Sequence, residues 1–210
     1  MTGRYVRVER LEPRHAAELH EANAEDRDGS HWTYLFDEKP ATPQAYDAWI
    51  AKAASTQDPM FHAIVDLATR KPSGVAAYMR IDRSHGVIEV GHINFAPRLQ
   101  RTRQATEAIF LMMKRAFDEL GYRRFEWKCD SLNAPSRAAA LRFGFTFEGI
   151  FRQAIVYKGR NRDTAWYSIT DAEWPAIKAA FEAWLDPANF DASGRQRRAL
   201  EARRPHQASA

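Results

Sequence analysis

Pro97-Arg98-Leu99-Gln100-Arg101-Thr102-Arg103-Gln104-Ala105-Thr106-Glu107-Ala108 lies between a strand-like run ending at Phe95 and a long apolar-periodic segment. A helix that begins near Arg103 leaves its first amide donors without partners inside the helix, and the helix dipole adds positive potential at the same end. Such a start suits a phosphate group, and Arg98, Arg101 and Arg103 surround it. An arginine-rich helix start is equally the pattern of a solvated corner, so the flanks must decide.

Downstream, Ala105, Ala108, Ile109, Met112, Met113, Ala116, Phe117 and Leu120 recur at helical spacing, with Gly121 placed as a C-cap. A short strand from Arg124 to Cys129 follows, which completes a βαβ-like unit. Asp130-Ser131-Leu132-Asn133-Ala134-Pro135-Ser136 then leads into a second short helix ending near Phe143, and Gly144-Phe145 opens a further strand.

The segment from about Ile88 to Arg152 resembles the GCN5-related N-acetyltransferase (GNAT) superfamily, in particular its ribosomal-protein N-terminal acetyltransferase branch. Gln100-Arg101-Thr102-Arg103-Gln104-Ala105 stands where the family carries Gln/Arg-x-x-Gly-x-Gly/Ala, and Thr106-Glu107-Ala108 continues the match. Asn133-Ala134-Pro135-Ser136-Arg137 matches its Asn-x-x-Ser-Arg pattern, and Leu141-Arg142-Phe143-Gly144-Phe145 its Leu-x-x-Gly-Phe ending. With the flanks, the resemblance extends over residues 1 to about 185.

The resemblance implies an α/β (α+β) fold: a mixed, mostly antiparallel central sheet with helices on both faces. It also implies acetyl-CoA as cosubstrate, with residues Gln100, Arg101, Thr102, Arg103, Gln104, Ala105 and Thr106 around the pyrophosphate. The strands Val87 to Phe95 and Arg124 to Cys129 would be parallel neighbours that splay apart. Main-chain groups of Ile93 and Phe95 would pair with the pantetheine arm as an added strand would. Asn133 would contact that arm or order the turn beside it, its other reading being an Asx-turn. His31, Trp32 and Tyr34 would lie on one wall of the acceptor cleft, where they either pack over an amine or close the core.

Two departures bear on activity. Arg103 stands at a family glycine and cannot adopt a left-handed turn as cheaply. Ala140 stands where the family often carries a tyrosine acid, and alanine does not titrate. These departures keep open an alternative reading as a CoA-binding module, catalytically weak or inactive, with a regulatory or interaction role.

Acetyl transfer from a thioester needs a neutral amine, a route for its proton and donors for the developing oxyanion; no covalent enzyme intermediate is required. Glu89 and His92 are the candidate bases, with an ion-paired carboxylate and a structural histidine as the alternatives. Gly91 allows a bulge between them, so their facing stays open. Ser136 is the candidate acid, or else only stabilises its helix start. The single cysteine, Cys129, ends an apolar strand and reads as a small buried residue.

Upstream, a strand at Tyr5 to Leu11, a helix to about Asn23, an irregular stretch from 24 to 42, and a helix opened by Thr42-Pro43 precede three strands: Met60 to Leu67, Val75 to Ile81 and Val87 to Phe95. These three should form an antiparallel meander. Downstream come strands from Thr146 to Tyr157 and Thr164 to Ile169, a turn at Lys158 to Asn161, and a final helix from Thr170 to about Leu185. On that helix Trp174, Phe181 and Trp184 read as packing residues.

In 210 residues, 45% of them apolar, there is enough material for one domain, assigned to residues 1–185. One cysteine excludes an internal disulfide and a cysteine metal cluster, and the seven histidines form no close pair, so no metal is expected. The net charge of +4 equals the surplus of Arg195, Arg197, Arg198, Arg203 and Arg204 over Glu201. The body is thus near neutral, which argues against nucleic acid as a partner, and residues 186–210 read as a basic, disordered tail. Without a long apolar run or signal pattern, the chain is expected to be cytoplasmic and unattached to membrane, a monomer or homodimer acting on a small-molecule or peptide amine.

Overall fold

The computed structural model describes residues 1–202. Among them, β1 (Val6–Arg10), β2 (Met60–Asp66), β3 (Pro72–Asp82), β4 (Val87–Phe95), β5 (Arg124–Asp130), β6 (Thr146–Tyr157) and β7 (Arg160–Thr170) form one sheet in the order β1-β2-β3-β4-β5-β7-β6. Every neighbouring pair is antiparallel except β4 and β5, which run parallel. That pair needs a crossover, and α3 (Arg103–Lys114) supplies it.

Alternation along the strands sorts side chains onto two cores. On one face Val8, Ile64, Tyr78, Ile88 and Phe125 pack with Ile109, Met112 and Met113 of α3 and with Phe181 of α5 (Trp174–Trp184). The Tyr78 hydroxyl donates to the Met112 carbonyl at 2.7 Å, tying the helix to the sheet. On the other face Phe61, Ala63, Val75 and Ala77 pack with Leu19 of α1 (Ala16–Asn23) and Tyr46 and Ile50 of α2 (Pro43–Ser55). Thr42 caps α2 by accepting from the Ala45 amide, with Pro43 at its first position. Between β5 and β6, α4 (Ala134–Arg142) buries Ala140 completely.

Three expected boundaries move, each for a local reason. The α3 helix stops at Lys114, and Arg115–Glu119 form a π-helical turn in which the Leu120 amide bonds the Arg115 carbonyl at 3.0 Å. β7 begins at Arg160 instead of Thr164, because Lys158 (φ 48°) and Gly159 (φ 71°) make a two-residue hairpin turn that pairs Tyr157 with Arg160. The final helix starts at Trp174: the Glu173 carboxylate accepts from the Thr170 amide and hydroxyl, each at 2.9 Å, and holds the preceding residues in a turn. Residues 186–202 are also not a disordered tail, since Phe190, Leu200 and Ala202 are buried in the main core. The remaining residues of that segment, 203–210, lie outside the described residues.

Candidate active site

Register locates a fork in the sheet. β4 and β5 pair only from Val87 with Arg124 to Val90 with Trp127. Beyond that, β4 follows β3, through Gly91 with Ala77 and Asn94 with Val75, while β5 follows β7 as far as Asp130 with Thr164. A bulge sits at the point of divergence, where Gly91–Asn94 oppose the shorter Ala77–Val75 segment and His92 takes φ 47°. Bulges bend the strand that carries them, and this one turns β4 away from β5. The left-handed residue is His92, next to the glycine that the sequence offered.

The start of α3 lies just past the end of β4. Thr102 is extended and caps the helix, its hydroxyl accepting from the Ala105 amide at 3.1 Å. The amides of Arg101, Arg103 and Gln104 have no acceptor among the described residues. Arg101 is the residue with positive φ, at 60°, and Arg103 is ordinary helix. The strain that a missing glycine would cause at Arg103 is therefore absent.

Side chains here turn away from those amides. The Arg103 guanidinium lies 4.4 Å from the Tyr5 ring centroid and 5.3 Å from that of Phe190. Gln104 donates to Asp66 at 3.1 Å, and buried Thr106 donates to the Thr102 carbonyl while accepting from Arg142 at 3.1 Å. Arg98 pairs with Glu25 at 2.8 Å. The Arg103 guanidinium is thus engaged by two rings, and what this corner presents is main-chain donors beside the exposed Arg101 side chain. Glu107 anchors the corner, accepting from the amides of Arg4, Tyr5 and Val6 at 2.8, 2.6 and 2.8 Å.

At the base of the fork, Glu89 is directly opposite Glu126, and buried Lys128 bridges them at 2.9 and 2.7 Å. Arg80 adds contacts of 2.8 Å to both Glu89 oxygens. Glu89 is thus the ion-paired carboxylate that its sequence position allowed, held on two sides by cations. His92 differs. Its ring packs against Phe36 and Phe61, burial lowers its pKa below the ordinary histidine value with only Asp37 opposing, and its nitrogens have no hydrogen-bond partner among the described residues. Asn94 lies two residues further on, 3% exposed, with neither amide atom partnered.

Across the fork, the Ser136 hydroxyl accepts from Trp127 Nε1 at 2.9 Å and lies beside the Cys129 thiol, toward which its own proton can donate. Asn133 caps α4 by accepting from the Ser136 amide at 3.1 Å. The Cys129 thiol is pushed up by burial, so it is a poor nucleophile. Of the three aromatic-loop residues, Trp32 is 2% exposed and belongs to the core. His31 meets the Gln100 amide at 3.1 Å, while Gln100 also donates to the Phe95 carbonyl at 2.9 Å. The Tyr34 hydroxyl donates to the Leu132 carbonyl at 3.1 Å, so the loop straps across to the end of β5.

Sequence reasoning missed Arg162, Asp130 and Tyr157 on this wall. Asp130 is buried and accepts from the Tyr157 hydroxyl at 2.8 Å, and burial followed by this carboxylate pushes the phenol up to about 12. The Lys158-Gly159 dipeptide was the available signal, since a tight hairpin there continues the strand through Arg162.

Comparison with known proteins agrees with this geometry. Residues 6–146 match the acetyltransferase (GNAT) domain family. A GCN5-related N-acetyltransferase from Brucella melitensis is 51% identical and superposes with a TM-score of 0.93, covering 95% of this chain and 91% of that one. A probable GNAT-family acetyltransferase from Chromobacterium violaceum is 46% identical, with a TM-score of 0.77 over 83% of this chain and 87% of that one. RimL, a ribosomal L7/L12 alpha-N-protein acetyltransferase solved with coenzyme A, shares the fold at 17% identity and a TM-score of 0.67, with coverage of 81% and 96%. No curated protein matches the chain at a significant level. The chain belongs to the GNAT family. It is an acetyl-CoA-dependent acetyltransferase.

Proposed function

We propose that this acetyltransferase moves the acetyl group onto a primary amine by direct attack, with the cosubstrate lying in the β4–β5 fork. The observation that carries the reading is the conjunction of two sets of unpaired main-chain groups: the facing edges of the splayed strands and the amides of Arg101, Arg103 and Gln104. Those amides suit a pyrophosphate through hydrogen bonds and the helix dipole. The β4 edge around Ile93 and Phe95 suits an extended arm that pairs like a strand, with Gln100 and Asn133 at the two rims.

Bound acetyl-CoA supplies the thioester; the rest is done by side chains already described. His92, neutral at pH 7 because burial disfavours its charge, accepts the ammonium proton at a ring nitrogen. Glu89, committed to Arg80 and Lys128, holds the fork together electrostatically. Ser136, oriented by Trp127, donates its hydroxyl proton toward the departing sulfur. A CoA thiol titrates near the ordinary thiol value of about 8.5, so weak assistance suffices, and the buried Ala140 position needs no acid.

The test is thiol release from acetyl-CoA across a panel of primary amines, read with and without enzyme. Release that requires both enzyme and amine is the expected result. Calorimetric binding of acetyl-CoA with no transfer to any amine would overturn it in favour of a CoA-binding module.

A further inference from the structure

Arg162 is buried, at 7% exposure, and unlike Lys128 its guanidinium has neither an ion pair nor a hydrogen bond among the described residues. It rests over the rings of Phe36 and Tyr157, 5.2 and 5.6 Å from their centroids. The carboxylate that it feels electrostatically, Asp130, is already engaged: one oxygen accepts from the Leu132 amide, the other from the Tyr157 hydroxyl, with Arg160 at 3.7 Å. A guanidinium does not deprotonate at any ordinary pH, so Arg162 is a largely buried charge offset only by two ring faces and the field of Asp130, with its Nε unpartnered.

Its position gives that charge a use. Phe36 links the two: its ring packs against the His92 ring, 5.9 Å between centroids, and also carries the Arg162 guanidinium. Asn94 pairs with Val75, which shares a core face with the Phe61 ring that His92 packs on, and it adds an unpartnered donor and acceptor. Arg160, two residues from Arg162, also lines a separate cavity of about 490 Å³ with Arg27, Lys39 and Lys158 against Asp28 and Glu38, so that neighbouring surface is net cationic.

We infer that the acceptor carries a carboxylate beside the amine that is acetylated, with Arg162 taking the carboxylate while His92 faces the amine. The inference rests on the amine-acetylation reading above and adds the acceptor's class to it. A guanidinium fork matches a carboxylate bidentately, and stacking on two rings holds the fork ready without closing off its remaining donors.

The experiment uses matched acceptor pairs: free amino acids against their amides, and dipeptides with Asp or Glu second against those with Asn or Gln. The first set presents an α-carboxylate and the second a side-chain carboxylate, so the arms separate the two sources. For the wild type, kcat/KM favours the carboxylate member of at least one set by tenfold or more. Arg162→Gln abolishes that ratio mainly through KM, Arg162→Lys keeps part of it, and acetyl-CoA affinity stays unchanged in both. An equal preference in wild type and Arg162→Gln, or no preference in the wild type, overturns the inference. The same pairs are titrated calorimetrically into the CoA-loaded protein. If no amine of either kind is acetylated, the proposed function fails, whereas Arg162-dependent binding of the carboxylate member still supports the acceptor's class and equal binding refutes it.

Discussion

The start of α3 and the wall formed by Phe36, His92 and Arg162 meet at one fork but are built on opposite plans. The helix start is local: Thr102 caps Ala105 three residues away, and the unpaired amides belong to neighbouring residues. It offers main chain, while the side chains of Arg103, Gln104 and Thr106 are engaged elsewhere. The wall is assembled from a loop, β4 and β7, and it offers side chains, a neutral imidazole and an unpaired cation. A site for an invariant cosubstrate can be made from backbone, which every residue has. A site that selects among acceptors has to use what differs between residues.

The comparison breaks first if the two sides share one support. Glu107 anchors only the helix side, and Glu107→Ala leaves three main-chain donors of the β1 approach without an acceptor. The expected cost is about 3–5 kcal/mol in chemical denaturation, with Glu107→Gln losing less. A loss under about 1 kcal/mol would mean that this corner is held by something else.

On the wall, His92→Ala should lower kcat by about 100-fold with acetyl-CoA affinity unchanged. Because protonated His92 cannot accept a proton, wild-type kcat/KM should fall on the acid side with an apparent pKa below about 6.5. A parallel loss of cosubstrate binding in the variant would show that the two sides are not separable.

A second buried histidine sharpens the contrast. His62, on the α3 face of the sheet, donates from Nδ1 to the Met60 carbonyl at 3.0 Å, and burial pushes its pKa down to about 4. The unfolded chain titrates near 6.5, so it binds more protons than the folded one between those values. Stability should therefore fall as pH drops through that window, by about 2–3 kcal/mol at pH 4.5, and His62→Leu should remove that part of the slope. His62 then governs stability and His92 rate.

The legibility of the two sides follows from the same difference. The order of elements and the α3 start were readable because helix caps, tight turns and apolar periodicity act over a few residues, whereas the splaying of β4 from β5 was implied only by the family resemblance. The facing of Glu89 and His92 was not, since it depends on which residue takes the bulge, and neighbouring β3 settles that. Arg162 was hidden because its environment comes from Phe36 and Tyr157, and no local pattern marks a cation whose counter-charge is missing. The 186–202 segment looked solvated by composition, yet Phe190 and Leu200 alone carry enough apolar surface to dock it.

The smallest expected rate effect is at Ser136. Ser136→Ala should lower kcat by about tenfold, because a thiol leaving group near pKa 8.5 needs little help. A loss as large as that at His92 would make proton donation, not amine deprotonation, the controlling step.

The main-chain character of the cosubstrate corner is tested most directly by calorimetric titration of acetyl-CoA into the wild type, Arg103→Ala and Arg103→Pro. Proline is tolerated at the first helical position, and Thr102 already has the extended backbone that a following proline requires (φ −95°, ψ 165°). Arg103→Ala removes a guanidinium that lies over Tyr5 and Phe190, and should leave affinity within about threefold. Arg103→Pro also removes the amide donor, and should weaken binding by about tenfold or more, the worth of a charge-assisted hydrogen bond of about 1.5 kcal/mol. Equal affinities for Arg103→Pro and Arg103→Ala, in variants that melt alike, would contradict the account.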